Sequence, residues 1–466
     1  MKAFAMKKSA QALLSVAMFV AFAGTPALAQ QDELQQLVSE IATLQAEVQQ
    51  LEAIEEIENL QRIWGFYIDK ELWTQAADLF AEDGSIEIGG EGVYQGKARM
   101  LAYLSSKSPV EGPRPGILND HMQLMPVITV DASGTAAKGR WHQFSQESVH
   151  GESHHIGTGI YENEYVLEGG VWKIKRIQLF SSMRTDYDHG WSVDAQPRTT
   201  PSTALPPDAA PTVDYQNYPA VFVPPFHYAN PVTGARPQSD AVASVSLGIA
   251  DVAGAEAALQ QLERRVTRLA DAEAVERLQT VYGYYLARNQ WDDLTGIFAE
   301  DGAIEIAQRG VYRGRASVRR NLDLYGVQGE LEGQLHNHMQ YQPVIHISED
   351  GQSAKLRSRA FSMMGVFGTD GRWMGGTYEN IYVKRDGVWQ IQWDQQFNTY
   401  FASFEQGWKD TVRVQAPGIN PANPPDEPPT VFFELFPRAF LPPFHYANPV
   451  TGRVTEWEMP APPAAE

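Results

Sequence analysis

No cysteine occurs in the 466 residues. That excludes a disulfide scaffold, a cysteine nucleophile and a lipid anchor on cysteine. Positive charge is scarce as well: 37 Lys and Arg stand against 57 Asp and Glu, a formal net charge of −20. A chain so acidic repels phosphate backbones and anionic lipid, which excludes nucleic acid as a main partner. Long apolar runs are missing too. The short one, Ala12–Gly24, follows Lys2, Lys7 and Lys8 and precedes Ala27-Leu28-Ala29, the layout of a secretory signal over residues 1–29. Periplasmic or secreted localisation is therefore expected, with no membrane span once the leader is removed.

What is present is enough to build cores: 43% of residues are hydrophobic and 11% aromatic, the profile of a globular protein. The length predicts two or more domains, and an internal repeat says which. Leu60–Gly84 (LQRIWGFYIDKELWTQAADLFAEDG) returns as Leu278–Gly302 (LQTVYGYYLARNQWDDLTGIFAEDG). Trp73 answers to Trp291 and Asp83 to Asp301, but Asp69 answers to Ala287. In an enzyme, that one change would decide which half does the chemistry.

Residues 30–59 form a leading helix. Leu37, Ile41, Leu44, Val48 and Leu51 step by four and three, the seam of a helix that packs on another helix or on its own domain. Leu259, Leu262, Val266 and Leu269 repeat it in the second half. Leu60, Ile63, Trp64 and Tyr67 predict one helix, and Trp73, Ala76, Ala77 and Phe80 another, ended by Asp83-Gly84. A short strand, Ser85–Ile88, and a third helix over Lys97–Ser105 follow.

The pattern then alternates with period two. His121–Val130, Ala136–Ser148, Gly157–Val166 and Gly170–Phe180 read as strands, echoed by His338–Ile347, Ala354–Phe367, Gly375–Val383 and Gly387–Phe397. Helices followed by strands predict an α+β fold: two tandem domains, each with helices on a curved, mostly antiparallel sheet. The first domain would span 60–235, a linker 236–254 and the second domain 255–466. Each domain ends in a proline-rich arm carrying the same eleven residues, PPFHYANPVTG, at Pro224–Gly234 and Pro442–Gly452.

Tyr67-x-Asp69-x-x-x-Trp73, Phe80-Ala81-Glu82-Asp83-Gly84, His121 and Gly170-Val171-Trp172, an ordered set present twice, resemble the SnoaL-like branch of the nuclear transport factor 2-like superfamily. Within it the scytalone dehydratase-like group is nearest. The resemblance covers roughly 51–191 and 275–408. It implies cone-shaped domains whose open end leads to an apolar pocket holding an aspartate and a histidine, here Asp69 and His121. A family asparagine is replaced by Tyr161, a departure from the scytalone pattern. The superfamily holds dehydratases, isomerases, cyclases and non-catalytic binders, so fold alone does not choose among them.

A carboxylate desolvated in an apolar pocket gains basicity, and an imidazole beside it can share its proton or have its tautomer held. Asp69 as base, His121 as partner and Tyr67 as a hydrogen-bond donor to an oxyanion would form a cofactor-independent lyase, of the dehydratase or the retro-aldol type, or an isomerase. Its ligand would be a small hydrophobic or aromatic alcohol or ketone. Trp141, His142, His155 and Tyr161 are expected to line that pocket, and Tyr285, His338, Arg359 and Tyr378 its counterpart. Arg288, Arg359 and Arg372 would crowd the second site and suit an anionic or phenolic group. The spacing of His150, His154 and His155 does not make a metal site. The alternative class is a non-catalytic binding or assembly protein, with the halves paired as an internal pseudo-dimer or the chain in a homo-oligomer.

Overall fold

The computed structural model describes residues 27–108, 110–234, 247–329, 332–410 and 415–456, with side chains from residue 31 onward. The expected leader, apart from the helical backbone of 27–29, and the expected linker up to residue 246 lie outside the described residues.

Each half places helices before its sheet. In the first, α1 (Ala27–Asp69), α2 (Trp73–Asp78), β1 (Phe80–Ile88), β2 (Val93–Gln95) and α3 (Lys97–Ser105) precede four long strands. These are β3 (Ile117–Val130), β4 (Ala136–Val149), β5 (Ser153–Glu168) and β6 (Val171–Asp186). The second half repeats the order: α4 (Val252–Ala287), α5 (Trp291–Gly296), β7 (Phe298–Ile306), β8 (Val311–Arg313) and α6 (Arg315–Leu322). Its long strands are β9 (Gln334–Ile347), β10 (Ser353–Val366), β11 (Asp370–Arg385) and β12 (Val388–Ser403). Both sheets have six strands in one order, β2-β1-β6-β5-β4-β3 and β8-β7-β12-β11-β10-β9. Among the described residues, only β1 with β6 and β7 with β12 run parallel. The α+β tandem expected from the sequence is what forms.

Two local readings change. The leading helix and the Leu60–Tyr67 helix are one rod of 43 residues, and the helix expected to reach Phe80 stops at Asp78 because Phe80 opens β1. Gly65 does not interrupt the rod; it permits close approach. A Cβ there would meet the Gln123 side chain at 2.6 Å and the Gln342 amide at 2.7 Å, one from each half.

The helical seams pair within the chain. Leu37, Ile41, Leu44, Val48 and Leu51 pack on Ala255, Leu259, Leu262 and Leu269. Arg265 grips Glu52 at 2.9 and 2.5 Å, and Arg62 lies 4.0 Å from Glu276, so α1 and α4 run parallel and close to repeat register. Below the seam the two edge strands, β3 and β9, face each other. Each carries a bulge with a left-handed non-glycine residue, Met125 (φ 54°) and Gln342 (φ 57°). Such strain persists where surroundings hold it. Gln342 is held: its amide accepts from the Gln123 N–H at 3.0 Å and donates to the Arg62 carbonyl at 2.9 Å. Met125, its counterpart, is 72% exposed.

The identical arms have different fates. His227 pairs with Glu162 at 2.9 Å and His445 with Glu379 at 2.8 Å, an equivalent contact on each sheet. On both sides of this contact the second arm also packs on the first half. Leu441 and Tyr446 are buried in the first half's core, with Phe444 and Val450 against it. Asn448 donates to the Gln75 carbonyl at 2.9 Å, and Arg453 pairs with Asp78 at 2.8 Å. Among the described residues the first arm has no such seat: Val232 is 89% exposed, and in sequence Asp293 and Gly296 stand where Gln75 and Asp78 stand, with Ala235 in place of Arg453.

This gives an internally controlled prediction. Asn448 and Asn230 both close a turn onto the N–H groups two and three residues on, but only Asn448 reaches Gln75. Asn448→Ala should destabilise the protein by about 1–3 kcal/mol more than Asn230→Ala, the cost of losing a buried polar partner. Denaturant midpoints of the two variants measure the difference, and equal midpoints would contradict the docking.

Candidate active site

α1 ends at Asp69 because Glu71 adopts a left-handed backbone (φ 52°) that a helix cannot continue through. Glu71 is held there by Arg114 at 2.6 and 2.8 Å. A carboxylate at the negative end of a helix is unfavourable on its own, so Asp69 needs donors. They come from two directions. Its Oδ1 accepts the His121 backbone N–H at 2.7 Å and meets His121 Nδ1 at 3.0 Å. Its Oδ2 accepts from Arg359, which comes from β10 of the second half. The same guanidinium also donates to Asp120 and, through Nε, to Gln342 at 3.2 Å.

The other face of the imidazole looks outward. His121 Nε2 lies 3.6 Å from Glu147, which Arg184 holds at 3.0 Å. Exposure rises along this line: 2% for the Asp69 side chain, 21% for His121, 29% for Glu147 and 35% for Arg184. His155 stands opposite Glu147 in the β4–β5 ladder, at the same mouth. A buried carboxylate thus clamps one ring nitrogen while the other faces the partly exposed Glu147.

The charges follow from this geometry. Burial would lower the His121 pKa, but its hydrogen bonds to Asp69 and Glu147 and their charges outweigh that and push it up to about 10. Burial would raise Asp69, yet Arg359 and His121 hold it below the usual carboxylate range. Glu147 is likewise held low, burial being outweighed by His121 and Arg184. At neutral pH the imidazole is therefore a cation between two anions.

Sequence reasoning brought Asp69 and His121 together but missed Asp120, Glu147 and Arg184. The signal was in the repeat. Asp69, Asp120, Glu147 and Arg184 correspond to Ala287, Asn337, Met364 and Phe401, so four charges are neutral in the second copy. Accordingly His338 is a different residue. Its Nδ1 meets the Ser362 hydroxyl at 2.6 Å and its Nε2 the Tyr378 hydroxyl at 3.0 Å. Burial and nearby His336 push its pKa down to about 3.

Other expected residues lie elsewhere. Tyr67 points to the second arm, its ring 5.5 Å from Phe444, and burial pushes its hydroxyl up to about 12; it does not meet the Asp69–His121 pair. Trp141 and Tyr161 are buried in the first core, and Trp141 also edges a cavity of about 200 Å³ between the halves. His142 is exposed on β4. Tyr285 packs half-buried on the second core. The arginine-rich second site does not form: Arg359 crosses to the first half, and Arg372 pairs with Asp370 at 2.9 Å.

The expected apolar pocket is also changed. The first cone is filled by Trp64, Trp141, Tyr161 and Tyr165, with the Tyr165 hydroxyl 2.9 Å from Gln61. Beside Asp69 there is a cleft of about 30 Å³, room for a water or two. Larger cavities, of about 420 and 480 Å³, lie between α1 and α4 and beneath the first arm. Among the described residues, His154, Asp186 and Asp188 bring potential metal ligands within 4.8 Å of one another. The Lys409 backbone N–H approaches His154 Nδ1 at 3.3 Å, which leaves Nε2 as the protonated nitrogen facing Asp188 at 3.0 Å. The Lys409 ammonium sits 2.8 Å from the same Asp188 carboxylate. This is an ion-paired joint between the halves, not a ligand set.

A family model for the SnoaL-like domain matches residues 49–178 and 267–393, together more than half of the chain. The chain belongs to that family. It is a tandem of two SnoaL-like domains. Solved structures similar to it include a proposed scytalone dehydratase from Novosphingobium aromaticivorans DSM 12444. It is 21% identical, covers 31% of this chain and 95% of its own, and has a TM-score of 0.27. The hexachlorocyclohexane dehydrochlorinase LinA-type3 of Novosphingobium barchaimii LL02 is 19% identical over 30% of this chain and 92% of its own, with a TM-score of 0.26. A Mycobacterium tuberculosis protein of unknown function, Rv3472, is 22% identical over 27% and 74%, with a TM-score of 0.24. No curated protein matches.

The His121 pKa sets a pH prediction. Its folded value, about 10, lies above its unfolded value near 6.5. The stability it contributes is complete below pH 6.5 and is lost as pH rises through about 10. The gap in unfolding free energy between wild type and His121→Gln should therefore shrink steadily over that window. A gap independent of pH would contradict the clamped imidazolium.

Proposed function

We propose that this protein is a cofactor-independent lyase of the elimination type, with one active site, at His121. The observation that carries the reading is the clamp: a buried Asp69 fixes Nδ1 of an imidazole whose Nε2 faces the partly exposed Glu147. Both Asp69 oxygens are engaged, so its role is to orient the ring, and the base expected of it from sequence passes to Glu147. A β-hydroxy ketone entering between Nε2 and Glu147 would lose its acidic C–H proton to the carboxylate. His121 would protonate the departing hydroxyl, giving an enone and water. Glu147, beside the ring, would then return its proton to His121. Substrate entry would replace the 3.6 Å contact and bring the imidazolium pKa down toward a useful range. The substrate class is a small hydrophobic or aromatic alcohol or ketone, and the protein works after export, in the periplasm or outside the cell.

A second reading has its own support. The filled first cone and the cavities outside it favour a non-catalytic binding or assembly protein built on the α1–α4 pair. One screen separates the two. The full-length protein, Asp69→Asn and His121→Gln are incubated with aromatic alcohols and ketones and assayed for product and for ligand-induced thermal shift. The lyase reading expects wild-type conversion, about 10²- to 10⁴-fold slower in either variant, the range of acid–base catalysis. Ligands that shift all three proteins alike and are never converted would leave the binding reading in place.

A further inference from the structure

We propose that Arg359, from the second half, is the positioning residue of the first half's site, so that the active site is shared by both halves of the tandem. This rests on the clamp reading above. Three observations carry it.

The first is geometry. Arg359 leaves β10, is 7% exposed, and its guanidinium reaches Asp69 and Asp120 together, with Gln342 on Nε and the Phe66 ring 4.9 Å from Cζ. A planar fork holds two carboxylates in a way that a single ammonium does not. The titratable and charged groups facing Asp69 are His121 from β3, Lys70 beside it at the helix end, Tyr161 from β5, and Arg359 and Tyr341 from across the interface, while Asp120 shares the Arg359 guanidinium. Without Arg359, two buried carboxylates would stand together with one imidazolium between them and the mouth.

The second is the asymmetry of the repeat. The residue equivalent to Arg359 in the first half is His142, which is exposed, and the position equivalent to Asp69 is Ala287. The cation and its carboxylate are thus present together in the first half's site, and their counterparts in the other copy are both replaced.

The third is Gln342. Its strained backbone aims one amide at Arg359, the Gln123 N–H and the Arg62 carbonyl. Arg359 is thus itself held in place by the interface, with the precision a positioning group requires.

The test uses the full chain and two readouts. The first, read without substrate, is the low-field proton resonance of His121 Nδ1 on Asp69. The second is the pH profile of turnover. In Arg359→Gln the resonance should be lost in acid at higher pH than in wild type. The acid limb should move up by about 1–3 pH units, the effect of a lost charge partner, and kcat should fall about 10- to 100-fold with KM little changed. Arg359→Lys, which keeps the charge without the fork, should retain the acid limb but not the full kcat. A wild-type resonance and wild-type profile in Arg359→Gln would overturn the proposal. Should that variant fail to fold, Arg359→Lys decides, and wild-type kcat and resonance there would overturn it. A resonance that responds as expected in a protein that converts nothing would uphold the positioning role and sink the lyase reading instead.

Discussion

The structure depends on what is done with two open sheet edges. β3 and β9 each end a six-stranded sheet, and an edge strand presents backbone donors that must find acceptors. On β3 the outward N–H groups of His121 and Gln123 are met by side chains, the first by Asp69 from the end of α1 and the second by Gln342 from the other half. Covering the edge and assembling the site are thus one event. The carboxylate that caps the strand also clamps the ring of the residue it caps. It is in position only because Gly65 lets α1 lie close against both edges.

Duplication then allowed the halves to specialise. The second copy keeps the framework: the same strand order, a matching bulge, an equivalent His–Glu contact to its arm. It has neutral residues at four charged positions and a cation at one, and that cation serves its neighbour. The second domain is therefore not a spent copy of the first. Its interior follows a separate chemistry, with neutral His338 between Ser362 and Tyr378 and with Asp394, pushed by burial up to about 7, where the first half has Ile177.

Much of this was legible in the sequence, and the limits have physical reasons. The repeat, the helical seams and the period-two strands depend on local spacing, and each appears close to where spacing puts it. The Asp69–His121 pair was legible through family resemblance. Glu147 was within reach, since it lies on β4 two residues from Ser145, the partner of His121 in the ladder. Arg359 was not: it was assigned to its own half because nothing local in a sequence says that a side chain will cross an interface. The arms were less legible still. Eleven identical residues cannot announce two destinations; the difference lies in Gln75 and Asp78 against Asp293 and Gly296, on surfaces remote in the chain.

The crossing of the second arm has a consequence for how the molecule is made. Leu441 and Tyr446 complete the core of the half that is synthesised first. On the ribosome, the domain bearing Asp69 and His121 emerges early but waits for the second half and its arm before the contacts of Leu441 and Tyr446 exist. Its maturation is gated by synthesis of the second arm, and a chain cut short before residue 441 would carry its defect in the half remote from the cut.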